Sequence, residues 1–197
     1  MIHPAARLVL DFWFGVPSDP TYGQERREWF RKDGQFDAEI RARFLALHQR
    51  AAQERLGDWQ AEPLSCLALV ILLDQLSRNL FRGTPEAFAQ DAQALAIAQA
   101  AIQQGFDQQV LPVQRWFYYL PLEHSETLSD QAQAVQLFAQ LVAQLPANPA
   151  SERTLDYARK HQAVIQRFGR FPHRNAILGR ESTPEEVAFL QQPGSSF

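Results

Sequence analysis

Apolar residues recur along this chain at spacings of three and four. Phe36, Ile40, Phe44, Leu47 and Ala51 form one stripe, and Phe88, Ala92, Leu95, Ala98 and Ile102 form a second. Val135, Phe138, Val142 and Leu145 form a third, and Leu155, Ala158, His161, Ile165 and Phe168 a fourth with a histidine at its centre. That period belongs to helices whose one face is buried. No stretch alternates apolar and polar residues with β-branched enrichment, so no strand is predicted. Thr84-Pro85-Glu86 places a cap before a first-turn proline, and Thr183-Pro184-Glu185-Glu186 carries a full capping box. Gly57, Gly83, Gly105, residues 146–149 and Gly169 to Pro172 mark turns, none long enough to be a domain linker. Helices joined by such short turns pack antiparallel with their neighbours. The expectation is an all-α single domain over residues 1–197, built as an antiparallel helical-hairpin array.

One segment departs from the amphipathic pattern. Residues 64–73 are apolar on every side, which predicts a central, surrounded helix. The same helix then turns polar with Asp74, Gln75, Arg78, Asn79 and Arg82, of which Asp74, Arg78 and Arg82 share a face. An abrupt step from core to charge is costly unless the polar groups have partners. One outcome is an intrahelical Asp–Arg pair answering the helix dipole. The other is a polar pocket at the end of a buried helix.

Composition excludes several classes. The chain has 197 residues, 46% of them hydrophobic and 21% charged, enough apolar material for a real core. Its longest apolar run, Cys66 to Leu73, is eight residues, too short to cross a bilayer, and Asp11 interrupts the apolar stretch that a leader would need. A single cysteine excludes an internal disulfide and a cysteine-based zinc cluster. These features lead us to expect a cytoplasmic protein without a membrane partner. A net charge of −3 argues against a nucleic-acid partner, and no phosphate-binding glycine loop is present.

Charge is unevenly placed. Between Arg159 and Arg180 the chain carries Arg159, Lys160, Arg167, Arg170, Arg174 and Arg180 with no acid. Such a segment needs acidic partners or an anionic ligand. Within it Phe168 and Phe171 supply apolar anchors, while Arg170, His173, Arg174 and Asn175 lie on a tight turn. The acids nearest in character are Glu123 and Glu126, which flank His124 after an aromatic run, with Asp130 just beyond. A carboxylate beside an imidazole fixes its tautomer and raises its basicity, the arrangement of a general base. His161 reads as a satisfied core histidine or a site residue, whereas His3 and His48 read as surface positions. Mixed oxygen and nitrogen ligands from Glu123, His124, Glu126, His161 and His173 are conceivable for a metal, but the neighbouring arginines repel a cation. We therefore expect neither metal nor cofactor.

The segments VLDFWFG (9–15), WFRKDGQFDAEI (29–40), LALVILLDQLSRNLFRGTPEAFAQD (67–91), PLEHSE (121–126), RFGRFPHRNAILGR (167–180), STPEE (182–186) and the final PGSSF together resemble the uncharacterised bacterial proteins grouped as domain of unknown function 924. The resemblance implies a tetratricopeptide-repeat-like superhelix and no particular activity. A terminal aromatic after two serines serves no purpose in an exposed tail, so the tail 193–197 is expected to pack back on the domain with Phe197 in an apolar slot, and the resemblance places the same ending here. In that family Asp-Gln-Phe-Pro-Arg-Asn is common where this chain has Leu76-Ser77, so the loss of a proline predicts a straighter helix here.

Two functions are expected to compete. In the first, Arg78, Arg82, Arg170 and Arg174 converge on a pocket for a small anionic metabolite, helped by Asp74, Asn79, His161, His173 and Asn175, while Glu123, His124 and Glu126 move protons. In the second, the concave face of a helical superhelix binds a peptide or protein as an adaptor. A third outcome is a purely structural polar core with no cavity.

Overall fold

The apolar run of residues 64–73 decides how the other helices are arranged. In the computed structural model, which describes residues 1–145 and 149–195, this run forms α3 (Pro63–Ile71) and enters a single π-helical turn (Leu72–Leu76) before α4 (Ser77–Leu80). Every side chain from Ser65 to Ser77 is buried, because helices pack on several sides of it at once. These are α1 (Pro4–Phe14), α2 (Gly34–Ala52), α5 (Asp91–Gln103) and α6 (Pro112–Glu123). Consecutive elements then layer onto one another: α5 on α6, α6 on α7 (Leu128–Gln144), and α7 on α8 (Pro149–Phe168). The chain is all-α, packed as a single domain, with no strand among the described residues. No helix among them is long and apolar enough to cross a membrane.

Aromatic rings fill the space between α1, α2 and α6. Trp13, Phe14, Trp29 and Phe117 meet mostly edge to face at centroid distances of 5.0–6.1 Å, the geometry their quadrupoles favour. Trp29 also donates its indole N–H to the Trp13 carbonyl at 2.9 Å.

Three expectations need correction. The stripe Phe88–Ile102 faces the core only in part: Phe88 precedes α5, which starts at Asp91, and Ala92 is exposed, whereas Ala98 is buried and Leu95 and Ile102 pack against the core. His48 is not a surface residue but is buried, with Nε2 2.8 Å from Ser77 Oγ. Ser77 Oγ donates in turn to the Leu73 carbonyl at 2.5 Å. Its single hydrogen is therefore used, and His48 must be the donor to it. The helix expected to run straighter without a proline instead holds the π turn immediately before Ser77. A serine bonding back to the carbonyl four residues earlier perturbs a helix in its own way. Glu123 and His124 end α6.

After α8, Gly169 takes a left-handed φ of 69° and its N–H closes on the Ile165 carbonyl at 2.8 Å. This turns the chain back across the molecule into a short 3-10 turn (Pro172–Arg174) and then α9 (Pro184–Leu190). The expected capping box at Thr183 and Glu186 is present. Of the tail, Ser195 is buried and bonds the Leu190 carbonyl. Phe197 and most of the turn at 146–149 lie outside the described residues.

Candidate functional site

Four separate parts of the chain meet at one end of the central helix. The π turn presents Asp74, the start of α5 presents Asp91, the end of α6 presents Glu123 and His124, and the segment after α8 presents Phe171 and Arg174. Asp74 is 1% exposed, and its carboxylate is hydrogen-bonded by two side chains and ion-paired with a third. His124 Nδ1 lies 2.7 Å from Oδ1, Arg78 Nη1 3.2 Å from the same atom, and Gln75 Nε2 2.6 Å from Oδ2. These partners outweigh the cost of burial and hold the Asp74 carboxyl well below its usual range.

A carboxylate accepts, so the His124 proton sits on Nδ1 and leaves Nε2 as a lone pair. Burial, aided by the Arg78 charge, lowers the His124 pKa and keeps the ring neutral. It is thus an imidazole oriented by a buried carboxylate.

Behind this pair sits a second one. Glu123 is 3% exposed, and its Oε1 is 3.0 Å from His161 Nδ1, which also lies 2.9 Å from the Tyr157 carbonyl. A carbonyl only accepts, so Nδ1 carries the hydrogen and gives it to the Tyr157 carbonyl. Burial first, and then the Asp74 charge, push the Glu123 carboxyl up to about 8, while burial lowers His161 to about 3. His173 is likewise lowered to about 4 by burial and by Arg174. Around neutral pH this interior holds neutral imidazoles and a protonated glutamic acid.

Of the four arginines expected to converge, two do. Arg78 grips Asp91 with two bonds of 2.9 and 3.1 Å, and Arg174 Nη1 reaches Asp91 Oδ2 at 3.2 Å. Arg82 instead joins Asn79 on Asp37 of α2, at 2.7–3.0 Å. Arg170 is held by Glu186 through bonds of 2.6 and 2.8 Å. Glu126 is taken by Arg180 and by the Phe171 N–H, at 2.7–3.0 Å. Asn175 is fully buried and donates to Ser182 Oγ. Arg82, Asn79, Arg170 and Asn175 therefore brace the fold around the site. Asp91 was not singled out from sequence, where an acid opening a helix looks ordinary; its two arginine partners lie 13 and 83 positions away.

A cleft of about 390 Å³ opens beside this cluster, with His124, Ser125, Glu126, Asp91 and Arg174 on its polar side. Its other side is apolar, with Phe88, Leu95, Pro121 and Leu178. Part of the stripe serves the cleft: Phe88, Ala92 and Leu95 line it, and Leu95 also packs against the core. Arg174 is 7% exposed and lies between Phe88 and Phe171, with its guanidinium carbon 4.7 and 4.6 Å from the two ring centroids. Its Nε is buried without a hydrogen-bond partner. Burial and the adjacent Arg78 lower its pKa to about 10. Among the described residues, no group of three or more histidine, cysteine or acidic side chains is arranged to hold a metal ion.

Residues 9–194 match the family described as bacterial proteins of unknown function, DUF924. A solved protein of unknown function from Agrobacterium tumefaciens is 40% identical over 94% of this chain and 96% of its own, with a TM-score of 0.80. No curated protein matches.

Proposed function

This chain belongs to the DUF924 family of bacterial proteins of unknown function, and we propose that its cleft binds a small anionic metabolite with which His124 exchanges a proton. One observation carries the reading: a neutral imidazole, fixed by buried Asp74, and a buried arginine with an unpartnered Nε line the same cleft. Arg174 holds an oxygen of the ligand. A proton passes from an acidic C–H, N–H or O–H of the ligand to His124 Nε2. The imidazolium so formed is balanced by Asp74, and the charge left on the ligand faces the guanidinium. Among the described residues lining the cleft the hydroxyl is that of Ser125, which donates to Asp130 at 2.6 Å. A volume of about 390 Å³ is at the small end of ligand pockets, which supports a metabolite over the peptide of an adaptor.

The test is a thermal-shift series with mono- and dicarboxylates and inorganic phosphate, combined with ¹⁵N spectra of the histidine rings. At least one anion should raise Tm, by about 2.7 kcal/mol of stabilisation at a hundredfold excess over Kd. It should also move the His124 Nε2 resonance. His124→Gln should lose the ring signal and keep the fold, and Arg174→Gln should lose the Tm gain. If no anion shifts either signal, the reading is wrong.

A further inference from the structure

We infer that the ligand of this cleft is a small monocarboxylate carrying an apolar body, an alkyl or aryl acid and not a phosphate or dicarboxylate. The inference rests on reading the cleft as an anion site and adds the class of anion. Count first the groups left to bind charge. Glu126 is occupied by Arg180, Asp91 by two arginines, and Ser125 by Asp130. Arg78, Arg82 and Arg170 do not line the cleft. What remains to hold an anion is Arg174, whose Nη1 already bonds Asp91; the lone pair of His124 accepts and adds no donor. One cationic donor is enough for a single carboxylate.

A second negative charge would have nowhere to go. Asp91 and Glu126 sit on the same polar wall, and each would repel a dianion. His124 and His173 are both held neutral and bring no positive charge to offset it.

The remainder of the surface sets the body of the ligand. Phe88, Ala92, Leu95, Pro121 and Leu178 offer no hydrogen bond, so the part of the ligand lying on them must be hydrocarbon. Arg174 itself is sandwiched between Phe88 and Phe171, so its guanidinium is presented at the junction of the apolar and polar walls. A carboxylate held there lays its own hydrocarbon chain on Phe88 and Leu95, with His124 on the polar wall of the same cleft.

Calorimetric titration with acetate, butyrate, hexanoate and phenylacetate, and with succinate and inorganic phosphate, tests this directly. Affinity should rise about four-fold per methylene from acetate to hexanoate, the ratio that corresponds to ~0.8 kcal/mol per buried CH₂. Phenylacetate should bind with hexanoate, and succinate and phosphate at least tenfold more weakly. Ala92→Glu changes an exposed residue on the apolar wall, so the fold should be unaffected. It should weaken hexanoate more than tenfold and acetate little. Should succinate or phosphate bind best and depend on Arg174, the anion site stands and the monocarboxylate assignment fails. Equal binding of acetate and hexanoate overturns that assignment in the same way. If none of the six compounds binds, both readings fall together.

Discussion

The hydrogen bond of 2.7 Å between His124 Nδ1 and Asp74 Oδ1 ties the end of α6 to a π turn 50 residues earlier in the chain. It also fixes which nitrogen of His124 faces the cleft. Asp74→Asn keeps the shape but removes the charge that answers His124 and Arg78. Breaking a buried charge pair costs 3–5 kcal/mol at its strongest, and Arg78 keeps Asp91, so a loss of about 3 kcal/mol is expected by urea unfolding. The His124 ring should also titrate lower, because Asp74 raises its pKa.

Stability should peak near neutral pH. Glu123 has a folded pKa of about 8, above its ordinary value of 4.5, so its contribution is complete below 4.5 and is lost as pH rises through 8. His161 and His173, at about 3 and 4, lie below their ordinary 6.5, so theirs is complete above 6.5 and is lost as pH falls toward those values. His48 and His124, also lowered by burial, add to the same limb, so the histidine gains outweigh the Glu123 loss up to about neutral pH and only the loss continues beyond it. Denaturant midpoints across pH 4–9 measure this. Glu123→Gln should remove the alkaline decline and leave the acid limb.

Glu126 holds the returning segment through the Phe171 N–H and Arg180. In Glu126→Gln the Phe171 amide should exchange with deuterium at least tenfold faster, with a global cost of roughly 1–3 kcal/mol. Unchanged protection would mean the segment is held by its aromatic anchors alone.

Arginines outside the cleft provide a contrast. Arg82→Ala and Arg170→Ala cut ties to Asp37 and Glu186, neither of which lines the cleft. Both variants should retain any ligand-induced rise in Tm that Arg174→Gln abolishes. A loss of that rise in Arg170→Ala would restore the four-arginine pocket expected from sequence.

Ser77→Ala removes the hydroxyl that bonds the Leu73 carbonyl and accepts from His48. Leaving a buried imidazole N–H and a carbonyl without it should cost roughly 1–3 kcal/mol in urea unfolding.

Periodicity alone determined that this chain is helical, because a 3.6-residue repeat of apolar side chains has one way to bury them all. It determined that residues 64–73 lie at the centre, since a segment apolar on every side must be covered on every side. The step from Leu73 to Asp74, the acids around His124 and the basic run before Arg180 marked the regions that meet at the site. Tertiary structure decided which members of those regions touch. Arg82 and Arg170 carry the same charge as Arg174, yet Asp37 and Glu186 lie nearer to them, and no local pattern encodes which acid folds against which base. Asp91, the shared partner of Arg78 and Arg174, had no local mark. The stripe from Phe88 was apolar and periodic like the others, but sequence cannot say whether an apolar face meets a core or a cleft. His48 looked like a surface histidine because its partner, Ser77, is 29 residues away. Local spacing sets the period of each helix; the identity of each charged pair is set by which helix ends are brought together when the core closes.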